Sequence, residues 1–163
     1  MIILEDTRQQ AFKHNLKHRY FAHNSVEVIR TKLLVGDYQL FGGTIVIDTK
    51  ANVEEIAANI GGPQHERFRE ECKLAQRIGA KLIILVENQN GFTNIEDVTA
   101  WVNPNPNKTS RSIEGQRLAR AMTTISDRYG VQFMFCTPEK SGEIIVKLLE
   151  GEHGHSIIEK TQD

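Results

Sequence analysis

Long apolar runs are what this sequence most plainly lacks. None approaches the ~18 consecutive apolar residues that a membrane-crossing helix requires, and MIILED at the N-terminus opens on strand-forming residues instead of a leader, so no membrane role is expected. Cysteine is scarce. Cys72 and Cys136 are the only two, too few and too far apart for a disulfide framework, and free thiols in a reducing, cytoplasmic setting are expected. An excess of one charge is missing as well: 20 Lys and Arg stand against 21 Asp and Glu, a net charge of −1, so a nucleic-acid site has to be a local basic patch. Repeats and linkers are absent too. What remains is 163 residues, 39% hydrophobic and 25% charged, enough for one globular domain over residues 1–150, followed by a tail, 151–163, read as disordered.

The chain opens with a short strand at Ile2 to Leu4 and a helix over Gln9 to His23, where Phe12, Leu16 and Tyr20 recur every fourth residue. Three β-rich runs follow, Val26 to Arg30, Lys32 to Leu40 and Thr44 to Thr49, and the pattern predicts a meander with a turn at Phe41-Gly42-Gly43. A short helix from Val53 to Ile60 is closed by Gly61-Gly62. Pro63 opens a second that runs to Ile78. AKLIILV, Ala80 to Val86, reads as a buried central strand. A Thr93-x-x-Glu96 capping box and the WVNPNPNKTSR loop come next, and then a helix over Ser112 to Tyr129, a strand over Val131 to Cys136, and a last helix through Leu149. The order gives an α/β mixed β-sheet flanked by helices.

One segment carries charge where a core strand ends. TIVIDTK, Thr44 to Lys50, places Asp48 and Lys50 two apart on a strand, on one face with about 6–7 Å between their Cα atoms. Asp37 of Gly36-Asp37-Tyr38 lies on the preceding run, and a hairpin brings the two acids together. Two carboxylates that close repel unless a cation sits between them, and hard oxygen ligands suit Mg2+ or Mn2+. Such an ion acidifies water and neutralises a phosphodiester oxygen, while the Lys50 ammonium orients the water and stabilises the transition state. An ordinary charged strand end is the plain alternative.

With TKLLVGDY before Asp37 and VIDTK around Asp48, the segment resembles the PD-(D/E)xK nucleases, and more narrowly the nuclease domain of the XPF-type structure-specific endonucleases, which carry G-D-Y followed by E-R-K. The likeness extends back to Asp6-Thr7-Arg8-Gln9, similar to that family's D-x-R-E, and forward to Glu54-Glu55-Ile56, His65-Glu66-Arg67-Phe68, Ala80 to Glu87 and Arg120 to Leu149. It implies a restriction-endonuclease-like fold with Asp6, Asp37 and Asp48 as metal or water ligands, Lys50 as the catalytic lysine, Glu54 as a supporting acid, and Arg8 and Arg67 facing phosphates. Gln9 stands where the family has glutamate, and Thr49 where it has arginine. Gln9 can hydrogen-bond a water but cannot bind a metal as an anion. The family's tandem helix-hairpin-helix domain has no counterpart here, so affinity has to come from elsewhere.

Several features have two readings. Arg69, Lys73 and Arg77 recur every fourth residue, either a solvated face interleaved with Glu66, Glu70 and Glu71 or a phosphate-tracking stripe. Lys108, Ser110, Arg111 and Arg117 beside the Asn-Pro loop form either a grip for single-stranded or branched DNA or a spacer. His14 and His18 have the spacing of a zinc pair but no third ligand, and solvent exposure is expected. Glu5 neighbours Asp6, and the resemblance selects Asp6. Trp101 is read as packing under the loop, and His153 and His155 as part of a mobile tail. Ile144, Ile145, Leu148 and Leu149 form an apolar face for the core, with homodimerisation as a second use. The expected activity is Mg2+-dependent endonucleolytic hydrolysis of DNA at branched or flap-like structures, with the chain recruited by another protein. The alternatives are a junction-binding scaffold of the same fold and a resolvase or restriction-type nuclease of the wider motif.

Overall fold

A computed structural model describes residues 1–10 and 14–159, with side chains followed through Gly151. Six strands form one mixed sheet: β1 (Ile2–Asp6), β2 (Glu27–Thr31), β3 (Tyr38–Leu40), β4 (Ile45–Lys50), β5 (Lys81–Glu87) and β6 (Gln132–Cys136), in the order β2-β1-β3-β4-β5-β6. β3 runs antiparallel to both neighbours, β1 and β4, and every other pair is parallel. The carboxyl ends of β1, β2, β4, β5 and β6 therefore share one edge of the sheet. The five helices are α1 (Asn15–His23), α2 (Val53–Gly61), α3 (His65–Arg77), α4 (Gly115–Tyr129) and α5 (Ser141–Glu159).

Strand alternation divides the core into two layers. Val46, Leu82, Ile84 and Val86 point to the side covered by α2, α3 and α4. Ile3, Tyr38, Ile47, Ile83 and Leu85 point to the other, against Phe21 of α1 and Ile145, Val146 and Leu149 of α5. The apolar face of α5 is thus used in the core, and Trp101 is buried against the first layer, as packing requires. Cys72 and Cys136 are free, and burial pushes both thiols up to about 12, far from the thiolate form that binds metals. No helix among the described residues is long and apolar enough to cross a membrane. The tail expected over 151–163 overlaps the end of α5, where side chains beyond Gly151, with all of 160–163, lie outside the described residues.

The expected meander holds only at its second turn, where Tyr38 pairs with Ile47. β2 pairs in parallel with β1, which inserts between β2 and β3. Residues 32–37 form no strand, and at Leu33 the N–H donates to Asp6 Oδ1 at 3.0 Å, which removes that donor from any ladder. Helix α1 also starts later than periodicity predicts. Phe12 lies outside the described residues and Leu16 is 46% exposed, while the buried α1 positions are Phe21 and Lys17. The Thr93 box likewise closes one residue on, with the Thr93 N–H and hydroxyl donating to Asp97 Oδ2 and Asn94 Oδ1 accepting the Asp97 N–H; a 3-10 turn over Glu96–Ala100 follows. At α2, Asn52 Oδ1 accepts the Glu55 N–H while Glu55 Oε2 accepts the Ala51 N–H, a near-reciprocal cap that fixes the chain directly after Lys50.

Gly36 is the tightest point of this framework. Its φ is +70°, and a Cβ there would lie 2.4 Å from Val46 Cγ1 and 3.1 Å from the Ile47 carbonyl oxygen. Gly36→Ala is expected to destabilise the protein by about 2–4 kcal/mol, left-handed strain plus overpacking, read by urea denaturation.

Candidate active site

The shared carboxyl edge gathers the charged strand ends. β1 closes with Asp6, β4 with Lys50 and β5 with Glu87, and Asp37 directly precedes the antiparallel β3, so it reaches the same edge. They line one cavity of about 650 Å3, with α2 and α3 on one side. Open α/β sheets place their ligand crevices at such an edge.

Asp48 and Lys50 point to the α3 side, as their spacing predicts, and Lys50 Nζ lies 2.7 Å from Asp48 Oδ2. The two form a buried ion pair, and Asp48 Oδ2 meets no other partner among the described residues. Burial and then the Asp37 charge push the Asp48 carboxyl well above the usual carboxylate range, more than Lys50 pulls it down. Burial lowers Lys50, but the Asp48 charge and the acids behind it outweigh that, so its ammonium form is favoured beyond the ordinary lysine range. The Phe68 ring lies 5.8 Å from Nζ.

Asp37 is held by more contacts. Its N–H donates to the Ile47 carbonyl at 2.8 Å, and its Oδ2 accepts both the N–H and the hydroxyl of Thr49 at 2.7 Å each. Thr49, which stands where the resembled family has arginine, therefore fixes the acid across the hairpin. Asp37 Oδ1 accepts from Gln9 Nε2, and Gln9 Oε1 meets His14 Nε2 at 2.5 Å. His14 Nδ1 in turn lies 3.3 Å from Lys17 Nζ, which pairs with Glu87, whose Oε1 also accepts the Ser141 hydroxyl at 2.8 Å. The ammonium has only donors, so Nδ1 accepts and Nε2 carries the proton. Burial and Lys17 both lower the His14 pKa, in keeping with that neutral tautomer. A chain of one polarity thus runs from Lys17 through His14 and Gln9 to Asp37. The expected solvent exposure of the histidines is corrected: both are part-buried, and His18 Nε2 meets Glu5 Oε2 at 2.5 Å.

Glu5 is buried on the opposite face of β1, held by His18 and by Arg30 Nε at 3.1 Å, and Asp6 is the residue that lines the cavity. Both Asp6 oxygens are engaged, Oδ1 by the Leu33 N–H and Oδ2 by Arg8 Nε at 2.5 Å. Among the described residues no three His, Cys, Asp or Glu side chains form a ready metal cluster. Asp37 is engaged at both oxygens too, by Gln9 and Thr49, so the least-held acid is Asp48, whose buried Oδ2 meets only Lys50 among the described residues. Two hard carboxylates close enough for the charge of Asp37 to push Asp48 toward its neutral form are a donor set whose repulsion a divalent cation relieves, so the residues fit Mg2+ or Mn2+.

Glu71 of α3 was passed over in the sequence as part of a solvated face. It is half-buried in the cavity, its Oε1 accepting the Gly36 N–H at 3.0 Å, and its charge acts on both Asp48 and Lys50. Its signal was position: Glu71 lies three residues after the buried Phe68 and adjoins the buried Cys72. Glu54 is exposed and lies off the cavity, which Glu55 lines instead. Arg8 and Arg67 line the cavity. Of the Arg69, Lys73 and Arg77 stripe, Arg69 faces a second cavity, Lys73 pairs with Glu70 at 2.9 Å, and Arg77 lines neither cavity. Lys108 pairs with Glu114 at 2.9 Å, and Arg111 is exposed outside both cavities.

The ERCC4 domain matches this chain over residues 6–148. The chain belongs to the ERCC4 domain family. Among solved structures it is similar to XPF from Aeropyrum pernix, at 18% identity with a TM-score of 0.68, over 99% of this chain and 70% of that one. A second, XPF from Aeropyrum pernix in complex with DNA, aligns at 19% identity with a TM-score of 0.63, over 91% of this chain and 63% of that one. No curated protein matches. The six-stranded mixed sheet flanked by helices is therefore the XPF-type nuclease-domain fold, and the ERCC4 match takes in Asp6, Arg8, Asp37, Asp48, Lys50 and Arg67 alike.

Proposed function

We propose that this ERCC4 domain is a divalent-metal-dependent DNA endonuclease that cuts at branched or flap-like structures. The observation that carries the proposal is Asp48: a buried carboxylate set against the Asp37 charge, its Oδ2 met among the described residues only by Lys50 at 2.7 Å, at the carboxyl edge of the sheet. Asp37 and Asp48 would hold Mg2+ or Mn2+. When bound, the ion neutralises a phosphodiester oxygen and acidifies a water. Lys50, kept as an ammonium by its acidic neighbours, serves as a fixed positive donor to the attacking water and the phosphorane oxygens, not as a proton acceptor. Thr49 and Gln9 set the direction of the Asp37 lone pairs. Arg8 and Arg67 meet substrate phosphates at the cavity wall. Asp6, tied to Arg8 and Leu33, keeps that wall in place. The complex of XPF from Aeropyrum pernix with DNA supports DNA as the substrate class.

The test is cleavage of flap, fork, four-way junction and linear duplex DNA with Mg2+ and with chelator, alongside Asp48→Ala and Lys50→Ala. Metal-dependent cutting lost in both variants supports the proposal. Cutting that survives in both removes it, and binding without any cutting turns the reading to a junction-binding scaffold. Sedimentation of the same preparation reads out the homodimer implied by the resemblance. Glu71→Gln keeps an acceptor for the Gly36 N–H but removes a charge beside Asp48, so it is expected to weaken Mn2+ binding by ~3–10-fold in calorimetry with little change in thermal midpoint.

A further inference from the structure

We propose that the groove between α3 and α4 holds the single-stranded arm of a branched DNA substrate. The inference rests on the nuclease reading and adds to it the shape of the substrate. The groove encloses about 500 Å3 above an apolar floor that includes Ile60, Ile113, Ile125 and Tyr129. Its walls carry Arg69 from α3 and Arg117, Arg120 and Arg128 from α4, and no acidic side chain lines it.

Charge is the first argument. Arg117, Arg120 and Arg128 fall at intervals of three and eight, one stripe of a helix with Thr124 between them. Their guanidinium groups have no ion-pair or hydrogen-bond partner among the described residues, and Arg69 has only Glu66 at 3.5 Å. Like charges along one helix face repel, and a chain of net charge −1 has acids enough to pair them. A polyanion supplies the missing countercharge.

The floor narrows the choice of polyanion. A duplex shows a protein phosphates and sugars with its base faces stacked away, whereas an unpaired strand can lay base faces on Tyr129 and the isoleucines while its phosphates reach the arginine walls. Position supplies the third argument. Asn59 and the buried Phe68 border both this groove and the Asp37–Asp48 cavity, so the two adjoin, and a strand leaving the candidate active site reaches the arginines past the partly exposed Asn59.

The test compares the whole chain with its Arg120→Ala/Arg128→Ala variant, both exposed α4 positions where alanine preserves helix propensity. Fluorescence anisotropy in Ca2+ measures affinity for a duplex bearing an oligothymidine arm and for the same duplex without it. The preference for the arm is expected to fall by ~10-fold in the variant, and the salt slope for the arm-bearing DNA by about 1.4, two contacts at ~0.7 each. No arm preference in the wild type, or one unchanged in the variant, overturns the groove; if duplex cleavage persists, the nuclease reading stands without it. A wild-type chain that neither binds nor cuts any DNA overturns both. A variant that keeps arm preference but loses a poly-glutamate probe overturns the proposal in favour of an acidic protein segment.

Discussion

Asp48→Asn is expected to abolish metal-dependent cleavage by ~10^3-fold or more while making the metal-free protein more stable at neutral pH. The first effect follows from removing one of the two carboxylates that would hold the metal, and Lys50→Ala is expected to lose ~10^2–10^3-fold through the missing transition-state donor. The second follows from the sign of linkage. Burial and the Asp37 charge raise the Asp48 carboxyl in the folded chain, so the folded state holds this proton more tightly than the unfolded one. The Asp48 contribution to stability is fully present below the ordinary carboxylate range and is lost as pH rises through the raised value. Asparagine carries no such proton, so the decline flattens, and the midpoint at pH 7 rises by about 2–4 °C for each kcal/mol of repulsion relieved. Lys50→Ala acts oppositely, since it removes the cation that favours ionised Asp48. Calorimetric scans with and without Mg2+ across pH check both signs. A destabilised Asp48→Asn protein at neutral pH would show that the acid is held by its surroundings, not strained by them.

Lys17→Ala is the second large effect. Lys17 is 5% exposed and Glu87 7% exposed, so truncating the lysine leaves a buried carboxylate with only the Ser141 hydroxyl. The expected loss is about 3–5 kcal/mol by urea denaturation. Lys17→Ala combined with Glu87→Gln should recover much of it, because the orphaned charge is gone. The two variants share a second defect. Without the ammonium His14 Nδ1 loses its donor, so the imidazole and the Gln9 amide are held from the Asp37 end alone, and the Gln9 contact to Asp37 Oδ1 is less rigidly positioned. Mn2+ binding, measured by calorimetry on the stability-restored double variant, is expected to weaken by ~10-fold or more.

The candidate site was legible wherever its signal was local. Asp48 and Lys50 sit two apart on a strand whose apolar alternation fixes the face, and the turn at Phe41-Gly42-Gly43 returns the chain so that Asp37 meets them. The boundaries of α2, α3 and β5 were likewise written in Gly61-Gly62, Pro63 and a run of aliphatics. What was not legible is what depends on distant partners. Lys17 looks like one of several solvated charges on α1 until β5 brings Glu87 beneath it. Glu71 carries the same charge pattern as Glu66 and Glu70, and only the arrival of the Gly36 backbone distinguishes it. The parallel docking of β1 beside β2 has no local sequence signature either, since short apolar strands do not encode which neighbour they will find.

That docking also sets an order of events. β1, made before its neighbours, lies between partners that end 25 and 34 residues after it does, and β6, needed to finish the sheet, is the last of these six strands. A nascent chain of this protein must keep IILED unpaired while its neighbours are translated, an interval in which a chaperone or a tethered solubilising partner would have most to protect.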